Sequence, residues 1–334
     1  MSENEVERMM TVNDRPVDGE RALARIRERI ERERIRPATR PAAVVRGPAV
    51  SLWAKGLAAA ASVALVATLL TVSGVAETII TLFEPKQVVA VPVTTADLAG
   101  AEGLGVYGTI TWSPSPPKPY DVPDLATAER LTGMKVLRPG DLPAGTGTGR
   151  FGVVDRTTAT FTFSAERTRA AAARLQRTPP PMPANIDGSK LFVTGGPGVV
   201  QYYDDGTAPK TGAGNDPYSS LPKLIVVQGK GPLVQSDGVT VEQLQQYLLA
   251  QPGVSPQLAA QIRAIKDPSS TLPIPIPVDM ATSKPVTVQG VQGVFVGDST
   301  GLGSALIWAK DGYVFGVAGT LTESQIMAVA NSLH

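Results

Sequence analysis

Gly56 to Ala76 reads GLAAAASVALVATLLTVSGVA, a stretch without a charged residue, bounded by Lys55 and Glu77. As a helix rising ~1.5 Å per residue it spans ~31 Å, close to the ~30 Å hydrocarbon core of a bilayer. Each Leu and Val in it favours insertion by about 0.3–0.6 kcal/mol, and no charge opposes them. The segment predicts a transmembrane helix with its core at 56–76 and an overall extent of 51–83. An Ala-rich helix buried in a soluble core is the alternative. A signal peptide is the poorer reading, because such segments occupy the first ~15–30 residues.

Charge sets the orientation. The formal net charge is only +1, but arginine recurs from Arg21 to Arg46 and no acidic residue stands between Arg36 and Lys55. Beyond the apolar run come Glu77 and Glu84, with Lys86 opposing them. The positive-inside rule therefore places the N-terminus in the cytoplasm and everything after Glu77 outside a plasma membrane. The chain has no cysteine, so an outer domain must rest on its hydrophobic core. Its one histidine is His334, which removes the usual metal ligand and proton shuttle from the body of the chain.

Residues 1–50 form the expected cytoplasmic segment. Asp14 or Asp18 caps a basic helix over about 18–36, with Leu23, Ile26 and Ile30 along one narrow stripe. That stripe has too little apolar material for an independent fold. It reads either as a solvated helix held near anionic lipid or as a docking helix for a cytoplasmic partner. Glu28, Glu31 and Glu33 interrupt the basic face, so nucleic acid is not expected.

Residues 84–103, with Pro85 and Pro92, read as an extended linker. The outer domain is expected over 104–334. VYGTITW alternates like a half-buried strand and SPSPPKP ends it. Phe151 to Asp155 and Thr158 to Ser164 look like paired strands; Lys190 to Thr194 and Val199 to Tyr203 look like a hairpin. Helices are expected near 121–132, 165–177, 240–250, 255–265 and 322–333, the last opened by a Thr322–Gln325 capping box. LPIPIPVDM, with proline at alternate positions, fits an edge-like or polyproline segment. The fold class is α+β with a mostly antiparallel sheet.

The chemistry-bearing motifs are thin. Ser115-Pro-Pro-Lys118 has serine–lysine spacing, but two prolines forbid the helix start that chemistry needs. Gly145 to Gly149 and Gly301 to Gly303 lack the strand–loop–helix context of a phosphate cradle and read as turns. Asp204, Asp205 and Asp216 have no calcium-ligand spacing, and Asp298 reads as a hairpin corner. No catalytic, cofactor-binding or metal-binding residue is assigned, and no enzyme activity is expected.

ERALARIRERI at 20–30, followed by one anchor and an α+β outer domain, resembles bacterial membrane-anchored anti-sigma factors. DLATAERLTGMKVLRPGDLPAG and GVFVGDSTGLGSALIWAKDGYVFGVAGTLTESQIMAVANSL are similar to the opening and close of an extracytoplasmic domain attached to such regulators. The resemblance implies a bacterial inner-membrane signalling protein. Its partners would be membrane lipid, a cytoplasmic sigma factor or other regulator at Leu23, Ile26 and Ile30, and an envelope ligand outside. The zinc-binding cysteines and histidine of some such regulators are absent. A tethered carrier of lipid or lipoprotein is the alternative.

Overall fold

The computed structural model describes residues 79–334 apart from 96, 98–106, 141, 175, 177, 205–221, 252–253 and 299–302. The chain divides into two units, Met1–Ala49 and Val50–His334, and every described residue belongs to the second. The basic helix with Leu23, Ile26 and Ile30, and the apolar core 56–76, lie outside the described residues. Among the described residues no helix is long and apolar enough to cross a membrane.

The described chain opens with strands β1 (Ile80–Phe83), β2 (Gln87–Val93), β3 (Gly108–Ser113) and β4 (Tyr120–Val122). Helix α1 (Leu125–Thr132) follows, capped by Asp124 and ended by Gly133 at φ 67°. Next come β5 (Gly149–Val154), β6 (Thr157–Phe163), α2 (Ala165–Arg174), β7 (Lys190–Gly195) and β8 (Gly198–Tyr203). After these lie β9 (Leu224–Lys230), β10 (Leu233–Ser236), α3 (Val241–Leu249) and α4 (Pro256–Arg263). Strands β11 (Thr271–Pro277), β12 (Ala281–Val288), β13 (Val291–Asp298), β14 (Ser304–Lys310) and β15 (Tyr313–Gly319) lead to α5 (Glu323–Ser332). The architecture is α+β, and its sheets are mostly antiparallel.

Two expected boundaries are overturned. The membrane helix was expected to extend to Phe83, yet Ile80–Phe83 is β1, and Phe83 is buried in the core instead of marking a membrane boundary. The expected linker 84–103 contains β2, with Val88, Val91 and Val93 buried. Short apolar runs such as ITLF and QVVAVPV carry no period that separates helix, strand and linker. Their packing partners lie far along the chain.

The expected pairings β5–β6 and β7–β8 are also overturned. The two sheets run β1-β10-β7-β6-β3 and β12-β13-β14-β15-β9-β8-β5-β4. Neighbour order is the same in both: β10, β7, β6, β3 against β9, β8, β5, β4. Each of these four pairs is one long strand that leaves one sheet and enters the other. The crossings are short and irregular: Asp155-Arg156, Gly196-Pro197, Gly231-Pro232 and the proline-rich 114–119. Gly196, at φ 70°, takes a turn conformation that a side chain would strain. Strands that switch sheets in this way form the corners of packed β-structures.

Helices α1 and α5 cover one side of the eight-stranded sheet. Leu125 and Ala128 meet Val153 and Val199. Ile326, Val329 and Ala330 meet Leu306, Trp308, Phe315 and Val317. The alternate residues Val294, Val296, Ala305 and Ala309 point the other way and share a core with Val88 of β2 and Leu272 and Ile276 of β11. Tyr247 and Leu248 of α3 join that core together with Phe161 and Leu191 of the five-stranded sheet.

Strands β2 and β11 form a separate parallel pair. Gln87 N–H donates to Ser270 O and Val278 N–H to Val93 O, so odd residues of β2 face even residues of β11. Pro273, Pro275, Pro277 and Pro92 therefore all sit where an N–H would point away from the partner strand. The alternating prolines cost the ladder nothing, and the expected edge-like character holds.

Candidate functional site

VVQYY of β8 and LIVVQ of β9 are apolar on both faces. Antiparallel pairing puts directly opposed residues on one side, so Val199, Gln201 and Tyr203 lie with Gln228, Val226 and Leu224 under the helices. On the opposite side, register aligns Gly152, Val200, Val227, Gly316 and Ile307 in one row across five strands. At ~4.8 Å between strands the row is about 19 Å long. Tyr202, Ile225 and Ala318 form the next row beside it.

The β2–β11 pair packs on this side over β12, β13 and β14, and Ile307 and Ala318 still pack against the core it shares. Farther along, Val200, Ile225, Tyr202, Gly316 and Ala318 are half-buried and Val227 is 36% exposed. Gly316 lowers the floor. A Cβ added there would meet only the Cβ of Val227, at 3.8 Å. The result is a shallow apolar strip on a rigid sheet.

Polar groups stand at its rim. Arg150 pairs with Asp204 at 3.2 Å, and its guanidinium lies 5.6 Å from the centre of the Tyr202 ring. Burial, helped by the nearby Asp121 carboxylate, pushes the Tyr202 phenol up, and Arg150 opposes the shift. Tyr202 stays protonated near neutral pH, so the described rim offers its hydroxyl for hydrogen bonding and the Arg150 guanidinium, paired with Asp204. On the helix side, where Tyr120 opposes Val153, its hydroxyl donates to Asp155 at 2.9 Å, and that bond holds its phenol above the usual value.

The other motifs of the sequence fall elsewhere. Ser115 and Lys118 are exposed in the proline-rich crossing, where Thr157 Oγ1 donates to Ser115 O at 2.7 Å. Asp298 closes a hairpin: its Oδ2 accepts the Gly303 N–H at 3.0 Å. Gly145 sits at φ 74° in a turn, and Asp204 is engaged by Arg150. Asp205, Asp216 and Gly301 lie outside the described residues. Among the described residues no group of three or more His, Asp or Glu side chains is placed to hold a metal ion.

Sequence reasoning missed the strip. The only available signal was apolar residues on both faces of β8 and β9, which says that both faces meet something apolar without naming what. Comparison with protein-family models, with curated proteins and with solved structures finds no match to this chain.

Proposed function

We propose that this chain is a single-pass membrane protein of a bacterial envelope whose outer domain binds without catalysis. The binding surface is the Val200–Val227–Gly316 strip, and its ligand is apolar, with polar groups that meet Arg150 and Tyr202. In this reading the basic helix 18–36 lies in the cytoplasm. Leu23, Ile26 and Ile30 engage a sigma factor or other regulator, as the resemblance to membrane-anchored anti-sigma factors implies. The observation that carries the reading is the half-exposed apolar row on the side of the eight-stranded sheet that faces away from α1 and α5. Soluble domains seldom leave contiguous apolar surface open without a use for it.

The test has two arms. The chain has no cysteine, so Ser115→Cys creates its sole thiol, at an exposed position. A membrane-impermeant maleimide added to intact cells labels that thiol if the domain is outside; absence of labelling until lysis overturns the topology. Binding is read with a fluorescent long-chain fatty acid and the full chain in detergent. Gly316→Leu fills the strip and Val227→Asp makes it polar; both are expected to lower probe binding at least about tenfold, the equivalent of 1.4 kcal/mol. Unchanged binding by both rejects the strip.

A carrier of lipid or lipoprotein is the second reading, favoured by the same apolar character. The two part at the cytoplasmic helix. Leu23→Asp with Ile26→Asp abolishes capture of a regulator by the full chain if it signals, and changes nothing if it only carries.

A further inference from the structure

A β-sheet edge is a row of unpaired N–H and C=O groups, and folded proteins blunt such edges with charge, proline, bulges or brevity. This fold does so at nearly every edge. β12 carries Lys284 and Pro285. β4 has three residues, includes Asp121 and follows Pro119. β1 has four residues, with its register broken between Thr81 and Phe83. The free edges of β2 and β11 present Pro92 and the three alternating prolines.

Strand β3 has none of these devices. Gly108–Ser113 reads GTITWS, without charge or proline, and pairs with β6 through six consecutive positions without a shift. Among the described residues nothing pairs with its outer edge. Phe163 donates to Ser189 O and accepts from Gly188 N–H, so odd residues of β6 direct their backbone groups toward β7. Even residues of β6 then bond odd residues of β3, in keeping with Ser164 N–H donating to Tyr107 O. The backbone groups of Gly108, Ile110 and Trp112 are left pointing outward. Their side chains share the core-facing side with Phe161, which is 2% exposed, yet Ile110 and Trp112 are 40% and 41% exposed.

We infer that β3 is an interaction edge that pairs antiparallel with β3 of a second copy of this chain. The edge complements itself. A two-fold axis through Thr111 sets Ile110 opposite Trp112 of the other copy, and the reverse, with both residues presenting outward N–H and C=O groups. Four backbone hydrogen bonds form, and two isoleucine–tryptophan pairs close on the apolar side, a favourable cross-strand combination. Thr111 meets Thr111 at the axis. No charge on the strand opposes a like copy or selects a different partner. The two five-stranded sheets become one continuous sheet.

The test uses the full chain in detergent with one cysteine introduced. Thr111→Cys should form a disulfide-linked dimer on mild oxidation, because its two copies face each other across a non-hydrogen-bonded pair. Thr109→Cys should stay monomeric, since its copies are offset by about 13 Å along the strands, beyond disulfide reach. Adding Ile110→Lys to Thr111→Cys places a charge on the exposed edge without touching the β6 ladder and should abolish the cross-link. A monomeric Thr111→Cys chain overturns the inference. So does equal cross-linking at 109, or cross-linking that survives Ile110→Lys in a chain whose circular dichroism is unchanged.

Discussion

The side-chain amide of Gln228 accepts the Leu137 N–H at 2.8 Å and donates to Lys135 O at 2.8 Å, acting as a surrogate strand for a segment that belongs to no sheet. Gln201 adds a bond from its Nε2 to Leu137 O, also at 2.8 Å, and accepts from the Tyr203 hydroxyl at 2.9 Å. Both glutamines are buried, and through them Met134 and Val136 are held in the core beside α1. A buried polar group left without a partner costs about 1–3 kcal/mol. Gln228→Met strands two backbone groups at once. It should lower unfolding stability by about 2–4 kcal/mol in urea titration, and Gln201→Met by a similar amount, because it releases the Leu137 carbonyl and the Tyr203 hydroxyl.

Trp308 is fully buried and stacked on Phe315 at 5.2 Å, while its Nε1 has no hydrogen-bond partner. Trp308→Ala should cost about 3–5 kcal/mol through loss of packing. Trp308→Phe keeps the stack and removes the unpartnered N–H, so its cost should be under half of that. Urea titration of the two variants side by side reads the difference.

The orientation of β11 makes a sharp contrast between adjacent positions. Ile274 presents its N–H to β2, and Ile274→Pro removes that donor and leaves the carbonyl it meets on β2 unpaired. The expected loss is about 1–3 kcal/mol or more. Pro275→Ala should stay within about 1 kcal/mol, the scale of the lost chain restriction. Thermal unfolding of both variants checks the order.

Acid should loosen the joint between β1, β2 and β11. Hydrogen bonds from Ser270 Oγ at 2.6 Å and Ser269 Oγ at 2.8 Å hold the Asp267 carboxyl below its usual range. Ser270 O in turn accepts the Lys86 and Gln87 N–H groups. A depressed carboxylate stabilises the fold above its unfolded pKa, and that contribution is lost as pH falls through the folded value, below about pH 4. Asp267→Ala should be less stable than the parent at neutral pH, and the gap between them should narrow toward pH 3. A gap that is constant with pH rejects the assignment.

Several elements were legible because their signals are local. Thr322 and Gln325 form the expected capping box, and Thr240 with Gln243 forms a second at α3. The strand expected over VYGTITW also stands, as β3, and the SPSPPKP run ends it. The helix expected near 121–132 begins at Leu125, and its Leu131 is 48% exposed, because eight residues bury only Leu125 and Ala128 against β5 and β8. The strip around Val227 was not legible. A strand apolar on both sides gives no contrast between them, and which side stays open depends on where β2 and β11 come to rest.

From the residues alone came the α+β class, the turns, the helix starts and the prolines that restrict β11, since each follows from backbone conformations set by a few neighbouring residues. Only the tertiary structure decided that β5 and β6, or β7 and β8, are single strands bent between two sheets, although their short glycine- and proline-bearing links resemble hairpin turns. It alone placed Ile80–Phe83 and Gln87–Val93 in the core. The reason is physical. A two-residue irregularity between strands is compatible with a reversal or a corner, and the choice is made by the distant strands that pair on either side.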